Sequence, residues 1–230
     1  MSSVPARVKD VYTVGARRLA AWSMTGLART RVTPNQLSAA GVSACAAGSV
    51  LVYFEYRDEV LFFWLGAAVF IVGSILDILD GALARAGGKG TPFGAFMDST
   101  LDRVGEGLML GAIALVFMRH GNEVALAATI AAVGGSFLVP YARAKAEALG
   151  LRGDVGIGSR AERVVVICAG LILAPWGALQ WAIYVLAFAA WFTVAQRALH
   201  VRAQLRAREP DRVPDTASET ASETASETAP

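Results

Sequence analysis

The chain has 230 residues, of which 55% are hydrophobic and only 17% charged, with a mean hydropathy of +0.48. This profile excludes an ordinary soluble domain and points to a membrane protein. The net charge of +2 comes with no basic stripe interleaved with aromatics, which excludes a nucleic-acid partner.

From the N-terminus, residues 1–31 hold six basic residues and no long apolar core, so no cleavable signal peptide is expected. Val11 to Leu27 reads as an amphipathic juxtamembrane helix, with Arg17 and Arg18 near lipid phosphates. Six apolar stretches follow, at roughly 34–54, 60–84, 94–118, 124–148, 162–178 and 179–200. Charged or turn-forming segments separate them, among them Arg57-Asp58-Glu59, Gly87 to Pro92, Arg119 to Asn122, Gly150 to Arg160 and Pro175-Trp176-Gly177. The expected fold is therefore all-α: a polytopic membrane protein whose residues 32–205 form six transmembrane helices. The abundant Gly and Ala suit close helix crossings.

Of the 21 Lys and Arg residues, all but Arg57 and Arg119 fall on one side of such a bundle. The positive-inside rule places that side, with both termini, in the cytoplasm, and the plasma membrane is the expected location. Cys45 and Cys168 each lie in an apolar run and read as packing residues; His120 and His200 lie near span ends. The tail 206–230 ends in the repeat TASETASETASETA and has almost no apolar mass to bury, so it is expected to be disordered.

The chemistry lies where the second stretch ends and the third begins. The residues run Asp77, Asp80-Gly81, Ala84-Arg85, Gly94, Asp98 and Asp102. An ionisable residue inside an apolar span costs about 2.5–3.5 kcal/mol on insertion scales, so four carboxylates there mark a functional site. On a helix, Asp77, Asp80, Ala84 and Arg85 share one face, and Gly94, Asp98 and Asp102 share another. A short connection makes the two helices antiparallel neighbours. Four converging carboxylates call for hard divalent cations, and two ions about 3.5–4 Å apart are the arrangement used in phosphoryl chemistry. Gly81 and Gly94 leave room for a ligand against backbone, and Arg85 brings a fork suited to phosphate.

The pattern D-x2-D-G-x2-A-R-x8-G-x3-D-x3-D resembles the signature of the CDP-alcohol phosphotransferase family, with all eight fixed positions present. The resemblance covers about residues 10–205, including the flanking N-terminal helix. It implies transfer of a phosphatidyl group from CDP-diacylglycerol to a hydroxyl, with release of CMP. It implies Mg²⁺ or Mn²⁺, two ions, held by Asp77, Asp80, Asp98 and Asp102, with Asp102 also the base for the attacking hydroxyl. It assigns Gly81, Ala84, Arg85, Thr91 and Gly94 to the CDP moiety, together with Asn35, Gln36, Leu37 and Ser38 at the start of the first span. It also implies a homodimer.

For the acceptor, Pro140 to Glu147, Gly158 to Arg163 and Gln196-Arg197 resemble the branch that makes phosphatidylinositol phosphate from inositol phosphate. The implied acceptor is 1D-myo-inositol 3-phosphate, with its phosphate held by Arg143, Arg163 and Arg197. Two departures from the branch are visible. Pro140 stands where Ser is usual, and Arg143 and Lys145 stand where Lys and then Arg are usual. Glycerol 3-phosphate, another hydroxyl-bearing phosphate, is the rival acceptor. A divalent-cation transporter is the rival of another class, but it requires neither glycine nor Arg85 and would spread its acids through the membrane depth. A membrane adaptor with a degenerate site is the third class, against which the intact pattern argues.

Overall fold

The computed structural model describes residues 34–86, 91–156 and 159–208. The expected N-terminal amphipathic helix lies outside them, as does the tail from 209 on; residues 206–208, expected to be disordered, instead continue the last helix. The described residues form six α-helices and no strand: α1 Pro34–Tyr53, α2 Glu59–Ala86, α3 Pro92–Arg119, α4 Glu123–Ala148, α5 Arg160–Ile172 and α6 Leu179–Arg208. Single 3₁₀ turns, Phe54–Arg57 and Ala174–Trp176, follow α1 and α5.

Local chemistry sets the starts. Thr91 caps α3, its hydroxyl accepting from the Gly94 amide at 3.0 Å, with Pro92 in the first turn. Asn122 caps α4 through the Ala125 amide. Ser159 opens α5 with a capping box, in which Glu162 bonds back to the Ser159 amide at 2.8 Å.

Among the described residues, four segments are long and apolar enough to cross a membrane by length and composition: Asn35–Arg57, Glu59–Leu83, Glu123–Ala148 and Leu179–Arg208. The other two helices depart from the expectation for identifiable reasons. The first half of α3 carries Asp98, Asp102, Arg103 and Glu106, which lowers its mean hydropathy. The helix α5 has only 13 residues, about 20 Å at 1.5 Å per residue, because Leu173-Ala174-Pro175 turns into a 3₁₀ segment. Large side chains such as Val72, Ile75, Phe96, Val165 and Phe188 are exposed, as a lipid-facing surface requires.

The helices α2 and α3 are not the side-by-side neighbours expected from their short connection. They meet near their acidic ends, and α1 packs extensively against both. Glycines make that possible. Gly41 and Gly48 on α1 face Gly73 and Gly66 on α2, so closely that a Cβ on Gly73 would stand 2.8 Å from the Gly41 carbonyl oxygen and one on Gly48 2.9 Å from that of Gly66. Cys45 of α1, which also lies against Gly73, packs on Gly105 of α3. Small residues at such a crossing let helix backbones approach where apolar burial gives no drive of its own.

The core joins these helices to α5 and α6. Phe70, Met109, Leu110, Ile113, Ile167, Leu171, Ile183 and Leu186 are fully buried. At the end away from the acids, buried Glu55 takes Arg119 at 2.6 Å, and the guanidinium stands 4.7 and 4.5 Å from the Tyr53 and Tyr56 rings. This clasp ties the turn after α1 to the end of α3.

Substituting the seam separates two effects of a methyl group. Gly73→Ala is expected to lower stability by about 1–3 kcal/mol, because its Cβ meets backbone that must move. Gly111→Ala on α3, whose Cβ meets nothing within 4 Å, is expected to leave stability unchanged or raise it by about 0.5–1 kcal/mol. Melting of the purified protein in detergent checks both.

Candidate metal and phosphoryl-transfer site

The last turns of α2 and the first turns of α3 bring carboxylates together. Asp77, Asp98 and Asp102 each offer an oxygen, and these atoms lie within 4.8 Å of one another. Asp80 follows Asp77 by one turn and is also buried. One of its oxygens accepts from the Ser38 hydroxyl of α1, and the other is buried without a hydrogen bond among the described residues. Three of the four expected acids thus form one cluster, and the fourth stands beside it tied to α1.

A cluster of like charges in an apolar bundle needs positive charge nearby. Here α5 supplies it. Arg160, in its first turn, pairs with both Asp77 and Asp102, the latter at 2.6 Å. Arg163, one turn later, forms a fork with Glu106 of α3, Nε to Oε1 at 2.7 Å and Nη2 to Oε2 at 2.8 Å, with both side chains buried. The sequence places Arg160 in the Gly158 to Arg163 segment without a site role of its own, and does not single out Glu106. The available signal was the helical spacing Asp98, Asp102, Glu106, which continues the acidic face by another turn.

The donor set tests the fit of a metal. Every ligand atom offered is a carboxylate oxygen, the kind that hard divalent cations take, and the unpartnered buried oxygen of Asp80 points to the same chemistry. The residues fit a divalent ion.

The remaining expected residues are placed as follows. Leu37 is buried, while Asn35 and Gln36 are exposed at the start of α1. Gly81 is half-buried on α2, one residue past Asp80. The side chains of Ala84 and Arg85 lie outside the described residues. Thr91 and Gly94 form the α3 cap, seven and four residues ahead of Asp98. Arg143 is exposed on α4 and pairs with Glu147 at 2.8 Å. Arg197 on α6 donates Nε to the Val155 carbonyl at 2.9 Å and Nη1 to that of Val139. Arg143 and Arg163 both lie within electrostatic reach of Arg197, so the three expected cations share one neighbourhood.

The loop between α4 and α5 shapes that neighbourhood. Gly156 has φ +119, and a Cβ there would stand 2.5 Å from Thr193 Cγ2 and 3.7 Å from Arg197 Nε. Only glycine lets the loop lie this close to α6 in that conformation.

Beside the acids an apolar cavity of about 740 Å³ lies between α2 and α5, lined by Ile71, Ile75, Ile78, Val164, Val165 and Ile172 among others. Ser159 and Arg160 also line it. Arg160 meets Asp77 while Trp64 donates to the Ile172 carbonyl at 3.0 Å, so the two helices run antiparallel and the cavity extends away from the acid cluster.

Comparison with known proteins agrees with this geometry. The family model described as CDP-alcohol phosphatidyltransferase matches residues 31–195. The chain belongs to that family. The phosphatidylinositol phosphate synthase of Mycobacteroides abscessus is 36% identical over 183 residues, 77% of this chain and 81% of that protein. The archaetidylinositol phosphate synthase of Methanothermobacter thermautotrophicus is 39% identical over 145 residues, 61% of this chain and 71% of that protein. The crystal structure of Mycobacterium tuberculosis phosphatidylinositol phosphate synthase with CDP-DAG bound superposes with a TM-score of 0.71 at 31% identity, covering 80% of this chain and 94% of that one. A second structure of that enzyme, in complex with manganese and citrate, also gives 0.71 at 31% identity and covers 79% of this chain and 88% of that one. The family membership makes this chain a phosphatidyl-transferring enzyme of phospholipid biosynthesis.

Since Arg160 occupies Asp77 and Asp102, an incoming cation must compete with its guanidinium. Arg160→Gln is expected to tighten Mn²⁺ binding several-fold, read from the free-ion signal in electron paramagnetic resonance titrations. Unchanged or weaker binding would mean that the guanidinium is no competitor.

Proposed function

We propose that the chain transfers the phosphatidyl group of CDP-diacylglycerol to a hydroxyl of 1D-myo-inositol 3-phosphate, giving phosphatidylinositol phosphate and CMP. The observation that carries this reading is the carboxylate trio Asp77, Asp98 and Asp102, set where a cluster of arginines and an apolar cavity adjoin. The names of the relatives supply the acceptor class.

In this reading Asp77, Asp80, Asp98 and Asp102 hold two divalent ions, Mg²⁺ or Mn²⁺. When bound, such ions offset the negative charge of the diphosphate and of the departing CMP. Asn35, Gln36, Leu37, Ser38, Gly81, Ala84, Arg85, Thr91 and Gly94 surround the CDP moiety, and the Ser38 hydroxyl keeps α1 in register with Asp80. The cavity between α2 and α5 takes an acyl chain, for which its aliphatic lining is suited.

Asp102 receives the proton of the acceptor hydroxyl as its oxygen attacks the lipid-side phosphorus. The new P–O bond forms as the bond to the bridging diphosphate oxygen breaks, and CMP leaves with that oxygen. Arg143, Arg163 and Arg197 hold the acceptor's phosphate, and with it the hydroxyl in line.

The topology follows the same reading. Six helices cross the plasma membrane, with α3 spanning through its apolar second half and α5 through its continuation into the 3₁₀ turn. The acid site and both termini face the cytoplasm, where the soluble acceptor is available, and the N-terminal segment lies along the membrane surface. The enzyme works as a homodimer.

The reading is tested by CMP release from the purified protein with CDP-diacylglycerol and Mg²⁺, comparing inositol phosphate with glycerol 3-phosphate. Turnover with the inositol phosphate alone is expected. Turnover with glycerol 3-phosphate alone would make Pro140 the better guide to the acceptor. Asp98→Ala is expected to lose both Mn²⁺ binding and turnover. Asp102→Asn is expected to lower turnover by at least about 100-fold, the lower range for removal of a general base, while keeping part of the metal affinity.

A further inference from the structure

Glu106 has no place in the family signature and none in the reaction just described, yet it is among the most deeply buried charged side chains, 3% exposed. Its partner Arg163 is 8% exposed and arrives from α5, with 57 positions between them in sequence. Taking two charges out of water is costly, and an apolar pair of similar size commonly serves stability as well or better. The neighbourhood is suited to such a pair: Met109, Leu110, Ile113 and Ile167 are fully buried within two turns. Stability alone therefore does not account for the fork.

Its geometry does something an apolar pair cannot. The two bonds, at 2.7 and 2.8 Å, engage Nε and Nη2, one edge of a planar group that carries five donors. A guanidinium held along one edge has its plane and its other edge fixed in direction. Glu106 stands four residues after Asp102 on the same helix face, about 6 Å along the axis. The carboxylate also offsets one charge among three arginines that share a neighbourhood, Arg143, Arg163 and Arg197.

We infer that Glu106 is a positioning residue for the acceptor: it aims the Arg163 guanidinium at the acceptor's phosphate in fixed register with Asp102. This rests on the reading that Arg163 meets that phosphate. One rigid helix then carries both the group that receives the hydroxyl proton and the group that sets the phosphate-binding arginine. An acceptor is accepted when the separation of its hydroxyl from its phosphate matches that register.

Kinetics of the full chain, with CDP-diacylglycerol, Mg²⁺ and inositol phosphate, test this in the variants Glu106→Gln, Glu106→Asp and Arg163→Gln, each with its melting temperature. Glu106→Gln is expected to raise the acceptor KM about ten-fold or more, the scale of losing a charge-assisted bond, with the CDP-diacylglycerol KM unchanged and kcat within about three-fold. Glu106→Asp, which keeps the charge and both oxygens, is expected to recover part of that loss. The double variant with Arg163→Gln should be no worse for the acceptor than Arg163→Gln alone.

An unchanged acceptor KM in Glu106→Gln, with a raised one in Arg163→Gln, overturns the inference and leaves the acceptor pocket standing. Parallel loss of both substrate affinities with a lowered melting temperature overturns it in favour of a purely structural pair. An unchanged acceptor KM in Arg163→Gln removes the pocket and the inference together. Should Glu106→Gln fail to fold, Glu106→Asp decides alone: a selective rise in acceptor KM supports the inference, and its absence overturns it.

Discussion

Carboxylates placed inside an apolar bundle must meet positive charge, and most of the fold around the site answers that demand. The acids lie on two helices, Asp77 and Asp80 on α2 and Asp98, Asp102 and Glu106 on α3. The countercharge comes from α5, whose first two turns deliver Arg160 and Arg163. The capping box at Ser159 fixes where that helix begins, and so fixes the height at which both arginines enter. A shift of one residue would rotate them off the acidic face by about 100°.

The second requirement is closeness. For Ser38 to reach Asp80, α1 must lie nearly backbone to backbone against α2, and the facing glycines allow it. The same placement puts α1 between the long parts of α2 and α3. The two acid-bearing helices then diverge away from the site, while their acidic ends remain in contact distance. This divergence lets one side of α2 form an apolar cavity with α5. An apolar space thus adjoins a charged site on the same helix, with Ile71, Ile75 and Ile78 on the cavity side and Asp77 and Asp80 turned inward.

The two kinds of arginine contact differ in what they can yield. Arg160 bridges acids that also suit a metal, so its pairing is exchangeable for another cation. Arg163 faces Glu106, and the fork engages both of its oxygens. Arg197 differs again: it spends donors on the Val155 and Val139 carbonyls and so ties the α4–α5 loop to α6. Arginines that look alike in the sequence therefore make three different kinds of contact.

The sequence by itself determined the helical class, the starts of all six helices to within two residues, and the acidic register on α2 and α3. It could do so because hydrophobic length and the i, i+3, i+4 periodicity are local properties. The family pattern was legible for the same reason, since its eight fixed positions lie within 26 consecutive residues. What only the tertiary structure decided was long-range. Arg160 meets Asp77 across 83 positions and Arg163 meets Glu106 across 57, and no spacing rule connects residues so far apart. The insertion of α1 between α2 and α3 was hidden likewise: glycines at positions 41, 48, 66 and 73 are unremarkable in an apolar chain until the two helices that carry them face each other. Side chains become partners by helix packing, and packing depends on the shapes of whole surfaces rather than on any local string.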